Sequence, residues 1–266
     1  MKSRMQAALC GVFLILLSAA SIAGVIDDIQ KRGTLRVGVA EFVPWTFRNP
    51  QGNLEGHEID IGRQIAHDMG VEPDFKVYDL EGLFGALDRG DIDVIAAGLA
   101  ITPSRALHIE YSTPYFESGT TLVVNTQAAA GVTDVESLNR EGRVVVTVED
   151  SYSAEIAPLL FDDASIMPVE TEAEAEKALV TGKAQGSVVN LAEAQYLVAK
   201  HPDILAMPLD EPLLRSVAGF GVKRDNQALL NFLNAWIAAR TADNWLSSTY
   251  DHWFGGYDWI AIVPGE

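Results

Sequence analysis

Short apolar runs alternate along the chain with longer segments in which apolar residues recur every three or four positions. The short runs predict buried strands at residues 35–40, 74–77, 94–98, 120–124, 144–148, 166–169, 187–189 and 216–222. The periodic segments predict helices at residues 59–69, 80–88, 154–160, 172–180, 191–200, 226–240 and 243–253. Such alternation predicts an α/β fold with parallel sheets.

Two of the predicted strands, 120–124 and 216–222, border a segment that has strands and helices of its own. A small and polar stretch, 125–134, follows the first of them and interrupts the pattern. Two extended crossings with a compact unit between them predict two lobes, the second inserted into the first, with the closing helices packed back on the first. The predicted boundaries are 24–124 and 215–266 for lobe 1 and 125–214 for lobe 2.

The first 23 residues have the composition of a secretory signal peptide. Lys2 and Arg4 precede the apolar run 7–17, and the sequence Ser21-Ile22-Ala23 supplies small residues for cleavage. The apolar run is shorter than the ~20 residues that span a bilayer. We therefore expect cleavage after Ala23 and export of the mature chain across the inner membrane into the periplasm.

Removal of this segment changes both the charge and the cysteine content. The whole chain carries a formal charge of −18 at pH 7, and the loss of two cations makes the mature chain more acidic. A polyanion such as nucleic acid is a poor partner for that surface. Cys10 is the single cysteine, so the mature chain has neither a disulfide nor a thiolate nucleophile. The five histidines are isolated, and neither a metal site nor a cofactor is predicted.

Arg105 is the most informative charged residue. Thr102 and Pro103 are typical of a helix start, so Arg105 lies in the first turn, where the helix dipole disfavours a cation. A guanidinium beside the free N–H groups of a helix start is a site for a carboxylate. The alternative is a solvated arginine paired with Glu110 or Asp88. The unfavourable placement favours the anion site.

Ordered motifs extend over nearly all of the mature chain. They are GTLRVGV (33–39), FVPWTF (42–47), GNLEGHEIDIGRQIA (52–66), GDIDVIAAGLAITPSR (90–105) and YSTPYF (111–116). In these motifs the chain resembles the bacterial extracellular solute-binding proteins of family 3, the polar amino-acid-binding proteins of ABC importers. The resemblance implies a two-lobed type II periplasmic binding protein fold, the Venus-flytrap, whose lobes close over a ligand about a two-stranded hinge.

The resemblance also implies ligand contacts. Arg105 would bind the α-carboxylate of the ligand. Gly98 and Ala100 would offer backbone groups to the ligand. Phe42 and Trp45 would form an aromatic wall, and Ser151 or Ser153 would supply a hydroxyl donor.

Departures from the family pattern leave the ligand's amino group open. The family usually has Asp at the position of Asn190, and Asn supplies no negative charge. The second aromatic wall is replaced by Leu80, and a shortened loop brings Glu41 near the expected amino-group site. The ligand is therefore either a carboxylate without a free ammonium or an amine that is bound by Glu41 or Glu193.

Glu193 has two interpretations. Asn190 and Glu193 have the spacing of an N-terminal capping box. The position also resembles that of the catalytic acid in cyclohexadienyl dehydratases, which share this fold, but the neighbouring Asp and the aromatic residue of that pattern are absent. The capping role is the more common use of the spacing and is favoured.

These observations predict a monomeric binding protein for a small carboxylate, an amino acid or close analogue, that delivers its ligand to an ABC permease of the inner membrane. One alternative is a dehydratase that acts on prephenate or arogenate. Another is a sensor protein that presents its ligand to a membrane receptor. The sequence does not separate importer from sensor.

Overall fold

The structure is a computed structural model that describes residues 24–256 and 258–263. The predicted signal peptide, 1–23, lies outside these residues. Two separate sheets flanked by helices form the two lobes. The helices are α1 (Val25–Arg32), α2 (His57–Met69), α3 (Leu80–Arg89), α4 (Pro103–Ala106), α5 (Val135–Leu138), α6 (Tyr152–Leu160), α7 (Glu172–Val180), α8 (Leu191–Lys200), α9 (Gln227–Ala242) and α10 (Trp245–Tyr250). Among the described residues, none of the helices is both long enough and apolar enough to span a bilayer.

The first sheet has a parallel centre and an antiparallel edge. Its strands, in sheet order, are β4 (Glu72–Val77), β1 (Thr34–Val39), β5 (Val94–Ile95), β13 (Gly221–Val222) and β6 (Glu110–Tyr111). Parallel pairing of β1 with β4 and β5 follows from the helices α2 and α3 that connect them. A separate hairpin is formed by β2 (Phe47–Arg48) and β3 (Leu54–Glu55).

The second sheet is mixed rather than parallel. Its strands, in sheet order, are β11 (Leu205–Ala206), β7 (Phe116–Asn125), β10 (Gly186–Asn190), β8 (Val144–Val148) and β9 (Ser165–Val169), and β12 (Leu214–Ala218) also pairs with β7. The long strand β7 is antiparallel to all three of its partners. Strands β10, β8 and β9 are parallel to one another, as predicted for strands that helices connect.

The predicted strand 216–222 is two strands in the structure, one in each sheet. β12 pairs with β7 in the second sheet, and β13 pairs with β5 in the first. Between them Phe220 is fully buried, and its carbonyl accepts a hydrogen bond from the backbone N–H of Ser112 at 3.0 Å. The chain therefore passes between the lobes at this point.

The predicted lobe boundaries at 124 and 215 need correction. Strand β7 pairs along its whole length within the second sheet, from Phe116 opposite Ala218 to Asn125 opposite Leu205. The polar stretch 125–134 marks the end of this strand and not the passage between lobes. That passage precedes Phe116, where the sheets separate.

The closing helices pack on the first lobe, as predicted, with Leu233 and Ile237 in its core. The predicted helix 243–253 is shorter: α10 ends at Tyr250, and two irregular helical turns, Asp251–Gly255 and Asp258–Ile262, follow it. Aromatic residues of these turns contact both lobes. The Trp259 ring lies 6.0 Å from that of Phe47 in the first lobe and 5.7 Å from that of Tyr196 in the second. The Trp259 ring thus bridges the two lobes.

Candidate ligand-binding cleft

A cavity lies between the two lobes and is lined by residues from both sheets. Its volume is about 140 Å³, whereas a single water molecule needs about 10–15 Å³. The cavity therefore has room for a small organic molecule. The structure brings nine of the ten predicted positions to its wall: Phe42, Trp45, Gly98, Ala100, Arg105, Ser151, Ser153, Asn190 and Glu193.

Glu41 is the predicted site residue that the structure does not bring to the cavity. Its carboxylate accepts a hydrogen bond from the Arg48 guanidinium at 2.7 Å, and both side chains are about half exposed. The Glu41 side chain thus pairs with Arg48 of the β2–β3 hairpin. The prediction that Glu41 lies near a ligand amino group is therefore corrected.

Arg105 lies at the junction of the two lobes. Its side chain is 9% exposed, and its Nη2 donates to the backbone carbonyl of Asp150 in the second lobe at 3.1 Å. Nη1 lies 3.4 Å from the carbonyl of Ala100 in the first lobe. A guanidinium has five N–H donors, so these two carbonyls leave donors for a ligand. The Glu155 Oε1 lies 3.9 Å from the Arg105 Nη2, at the outer limit of ion-pair distance.

The helix that carries Arg105 begins as predicted but is too short for the predicted dipole effect. Thr102 is the N-cap, with its hydroxyl accepting from the Arg105 N–H at 3.2 Å, and Pro103 is the first helical residue. The helix has four residues, and a macrodipole needs many aligned peptides. The carbonyls of Ala100 and Asp150, with the Glu155 carboxylate at 3.9 Å, stabilise the cation in this structure. Within the described part of the chain, Arg105 pairs with neither Glu110 nor Asp88.

An aromatic wall forms one side of the cavity. The rings of Phe42 and Trp45 are stacked at 4.5 Å with 5° between their planes. Gly98 lies against Trp45 with φ of +56°, and a Cβ there would be 2.4 Å from the Trp45 Nε1. Both the left-handed backbone and the close approach require glycine. The Trp45 Nε1 is buried and has no hydrogen-bond partner among the described atoms.

The second lobe supplies a loop and a helix start opposite Arg105. Asp150 has a left-handed φ of 57°, and its carbonyl accepts from Arg105. Ser151 caps α6, accepting from the Ala154 N–H at 3.1 Å, while its hydroxyl donates to the Val148 carbonyl at 2.7 Å. The Ser151 hydroxyl is thus engaged in the fold. Of the two predicted hydroxyl donors, Ser153 is the one for which no such engagement is seen in the described structure.

Glu193 lies beside a helix cap and also at the cavity wall. The Asn190 side chain caps α8, accepting from the Glu193 N–H at 2.9 Å, and its amide donates to the Glu193 carboxylate at 3.3 Å. The capping role of Asn190 is confirmed. The Glu193 side chain nevertheless faces the cavity and is 9% exposed. Burial, with repulsion from Glu172 and Glu176, raises the pKa of the Glu193 carboxyl well above its ordinary value.

Sequence reasoning missed Glu172 and a set of hydroxyl groups. Glu172 begins α7 and lines the cavity, and burial raises the pKa of its carboxyl. Residues with hydroxyl groups on three neighbouring strands also line the cavity: Ser118, Thr120, Ser187 and Ser216. The Ser187 hydroxyl is buried and donates to the Val146 carbonyl at 2.7 Å. Ser118 and Thr120 share a face because they are two positions apart in a strand, a spacing that the sequence displays.

Comparison with known proteins identifies the family. The chain matches the bacterial extracellular solute-binding proteins, family 3, over residues 35–256. The L-cystine-binding protein TcyJ of Escherichia coli is 28% identical over 93% of this chain and 95% of its own, and a cyclohexadienyl dehydratase of Pseudomonas aeruginosa is 22% identical over 92% of each. An ancestral arginine-binding protein bound to arginine superposes with a TM-score of 0.77 at 30% identity, covering 84% of this chain and 99% of that one. The predicted two-lobed binding-protein fold is confirmed, and the chain belongs to the bacterial extracellular solute-binding proteins, family 3.

Proposed function

We propose that this protein binds a small carboxylate, an amino acid or a close analogue, in the cleft between its lobes and delivers it to an ABC permease of the inner membrane. The observation that carries the proposal is the position of Arg105. Its guanidinium is buried at the lobe junction, touches the second lobe through Asp150 and borders the cavity. A bidentate carboxylate contact suits the planar guanidinium fork.

The relatives support the amino-acid class. TcyJ is named for L-cystine, and the ancestral protein holds arginine. Both ligands are amino acids with an α-carboxylate, the group that Arg105 would bind. Export to the periplasm, through the predicted signal peptide 1–23, belongs to the same proposal.

Binding is favoured over catalysis. The dehydratase alternative needs an acid beside a carboxylated ring, and Glu193 is an acid at the cavity wall. The neighbouring position is Asn190 and the facing wall is Leu80, however, and the wider family match is to solute-binding proteins. Prephenate and arogenate incubated with the protein should be recovered unchanged, whereas an aromatic product that disappears in Glu193→Gln would establish the enzyme.

A thermal-shift screen tests the proposal. The panel holds amino acids, their keto acids and the corresponding amines without a carboxylate. A ligand present at 100 times its Kd stabilises the folded state by ~2.7 kcal/mol. We expect stabilisation by at least one amino acid and none by its decarboxylated amine. Equal stabilisation by the amine, or no stabilisation by any carboxylate, would contradict the proposal.

A further inference from the structure

Two carboxylates form an acidic part of the cavity wall. Glu193 lies in the first turn of α8 and Glu172 is the first residue of α7, so both helices direct an acid to the same space. Glu193 is nine-tenths buried and Glu172 is partly buried. A buried carboxylate without a partner is costly unless it becomes neutral or meets a cation.

Neither acid has a cationic partner within the described residues. The contact of the Glu193 carboxylate is with the neutral amide of Asn190 at 3.3 Å. The nearby Glu176 differs: Lys200 lies 2.8 Å and His201 2.6 Å from its Oε1. Lys200 and His201 are thus engaged by Glu176.

The charges that border the cavity do not balance. Arg105 supplies one positive charge, and Glu172 and Glu193 supply two negative charges when ionised. Burial raises the pKa of the Glu172 carboxyl, and burial together with repulsion from Glu172 and Glu176 raises that of Glu193, which favours retention of protons on both acids. A cation that enters would favour the ionised acids and release those protons.

We infer that Glu193 and Glu172 bind the cationic part of the ligand and that the site prefers a small monocarboxylic acid with two cationic groups, such as a diamino or guanidino acid. The inference rests on the proposed function, because Arg105 binds the carboxylate of the same molecule. Two cationic groups and one carboxylate complement two acids and one guanidinium. Asn190, which carries no charge, positions Glu193 through its cap.

Calorimetric titration at pH 7.5 tests this charge preference with ornithine, lysine and arginine, the neutral norleucine and glutamine, the acidic glutamate, and cadaverine, which lacks a carboxylate. At least one cationic amino acid should bind more than tenfold tighter than either neutral one, and glutamate should bind most weakly. Repetition in two buffers of different ionisation enthalpy should show proton release on binding of the cationic ligand.

Variants separate charge from shape. Glu193→Gln and Glu172→Gln, whose amides are similar in size to a neutral carboxyl, should each weaken the cationic ligand more than tenfold. Neutral amino acids carry only one cationic group, so at least one of the two variants should change their affinity less than threefold. Proton release should decrease in both. Glu174→Gln, at an exposed position of α7 outside the cavity, is the matched control and should bind as wild type does. If one of the two variants folds poorly, the other variant and the proton release of wild type still test the inference.

The outcomes distinguish this inference from the proposed function. If neutral amino acids bind as tightly as cationic ones to wild type and to both Gln variants, the inference of an acidic ligand site is wrong. The proposed carboxylate site would then remain. Cadaverine that binds as tightly as lysine would overturn the carboxylate requirement and leave the acidic site intact. Absence of binding across the whole panel would overturn both.

Discussion

Asp93 in the first lobe and Glu193 in the second are both buried carboxylates, but their surroundings are opposite. Asp93 accepts from the Arg36 guanidinium at 2.6 Å and from the Arg36 N–H at 2.9 Å, and Arg32 also donates to it. The Glu193 carboxylate instead accepts a hydrogen bond from the neutral side-chain amide of Asn190. A carboxylate whose charge is matched within the protein stabilises the fold, and one that faces a cavity unmatched is available to a ligand.

Glu176 is intermediate between these two cases. It is partly buried and is bound by Lys200 and His201, so it joins α7 to α8. Its pairing with Lys200 raises the pKa of that ammonium against the opposing effect of burial. The three carboxylates should therefore rank in their contribution to folding as Asp93, Glu176 and Glu193.

The largest effect is expected at Asp93. Asp93→Asn leaves two arginines without their counter-charge and should lower the free energy of unfolding by about 2–3 kcal/mol. That is less than the ~3–5 kcal/mol of a fully buried pair, because Arg32 and Arg36 are a quarter to a third exposed. Urea unfolding of Asp93→Asn and wild type measures this loss of stability. Asp91→Asn, which removes an exposed pair with Arg89, is the control and should cost no more than ~0.5 kcal/mol. Equal losses in the two variants would contradict the distinction.

A smaller effect is expected at Glu176. Glu176→Gln removes the charge that Lys200 and His201 share, and the pair is partly exposed, so the loss should be about 1 kcal/mol. The measurement is again urea unfolding, at low and high salt. High salt should reduce the difference, since partly exposed pairs are screened. A loss as large as that of Asp93→Asn would contradict the predicted order of the two carboxylates.

The smallest loss is expected at Glu193. At pH 4 Glu193→Gln should be within ~0.5 kcal/mol of wild type in the absence of ligand, because the amide replaces a protonated carboxyl of the same shape. The folded-state pKa of Glu193 is raised above 4.5, so the stability that its proton supplies is complete below the unfolded pKa and is lost as pH rises through the folded pKa.

Wild type should therefore lose stability relative to Glu193→Gln as pH increases from about 4.3, the unfolded pKa of a glutamate. Urea unfolding of both proteins from pH 4 to pH 8, without ligand, measures the difference. A difference that stays constant over this range would show that folding does not raise the pKa of Glu193. A difference that grows in favour of wild type would show that the folded protein stabilises the ionised carboxylate by itself.

Local patterns predicted the elements well where they are self-contained. Helices α7 and α8 have the bounds that periodicity gave, 172–180 and 191–200, because the capping residues Thr171 and Asn190 directly precede them. The division of 216–222 between two sheets was not predictable from its apolar run, since pairing partners far along the chain decide it. The same long-range pairing moved the lobe boundaries.

The site shows the same limit. The motif around Arg105 predicted its N-cap and its place in the cleft, but the Asp150 carbonyl that holds it comes from the other lobe. Glu41 and Arg48 form a local pair that sequence spacing does not display. Glu172 lines the cavity because tertiary packing directs α7 toward it, and nothing in its sequence neighbourhood distinguishes it from other acids of that helix.

The central claim is that Arg105 binds the carboxylate of the ligand. It is tested most directly by calorimetric titration of wild type, Arg105→Lys and Arg105→Ala with the tightest amino acid from the thermal-shift panel. A charge-assisted contact contributes ~1.5–3 kcal/mol, so Arg105→Ala should bind more than tenfold more weakly. Arg105→Lys, which keeps the charge and loses the fork, should be intermediate. Arg48→Ala, which removes an exposed arginine outside the cavity, should bind as wild type does. Unchanged affinity in a folded Arg105→Ala would contradict the claim.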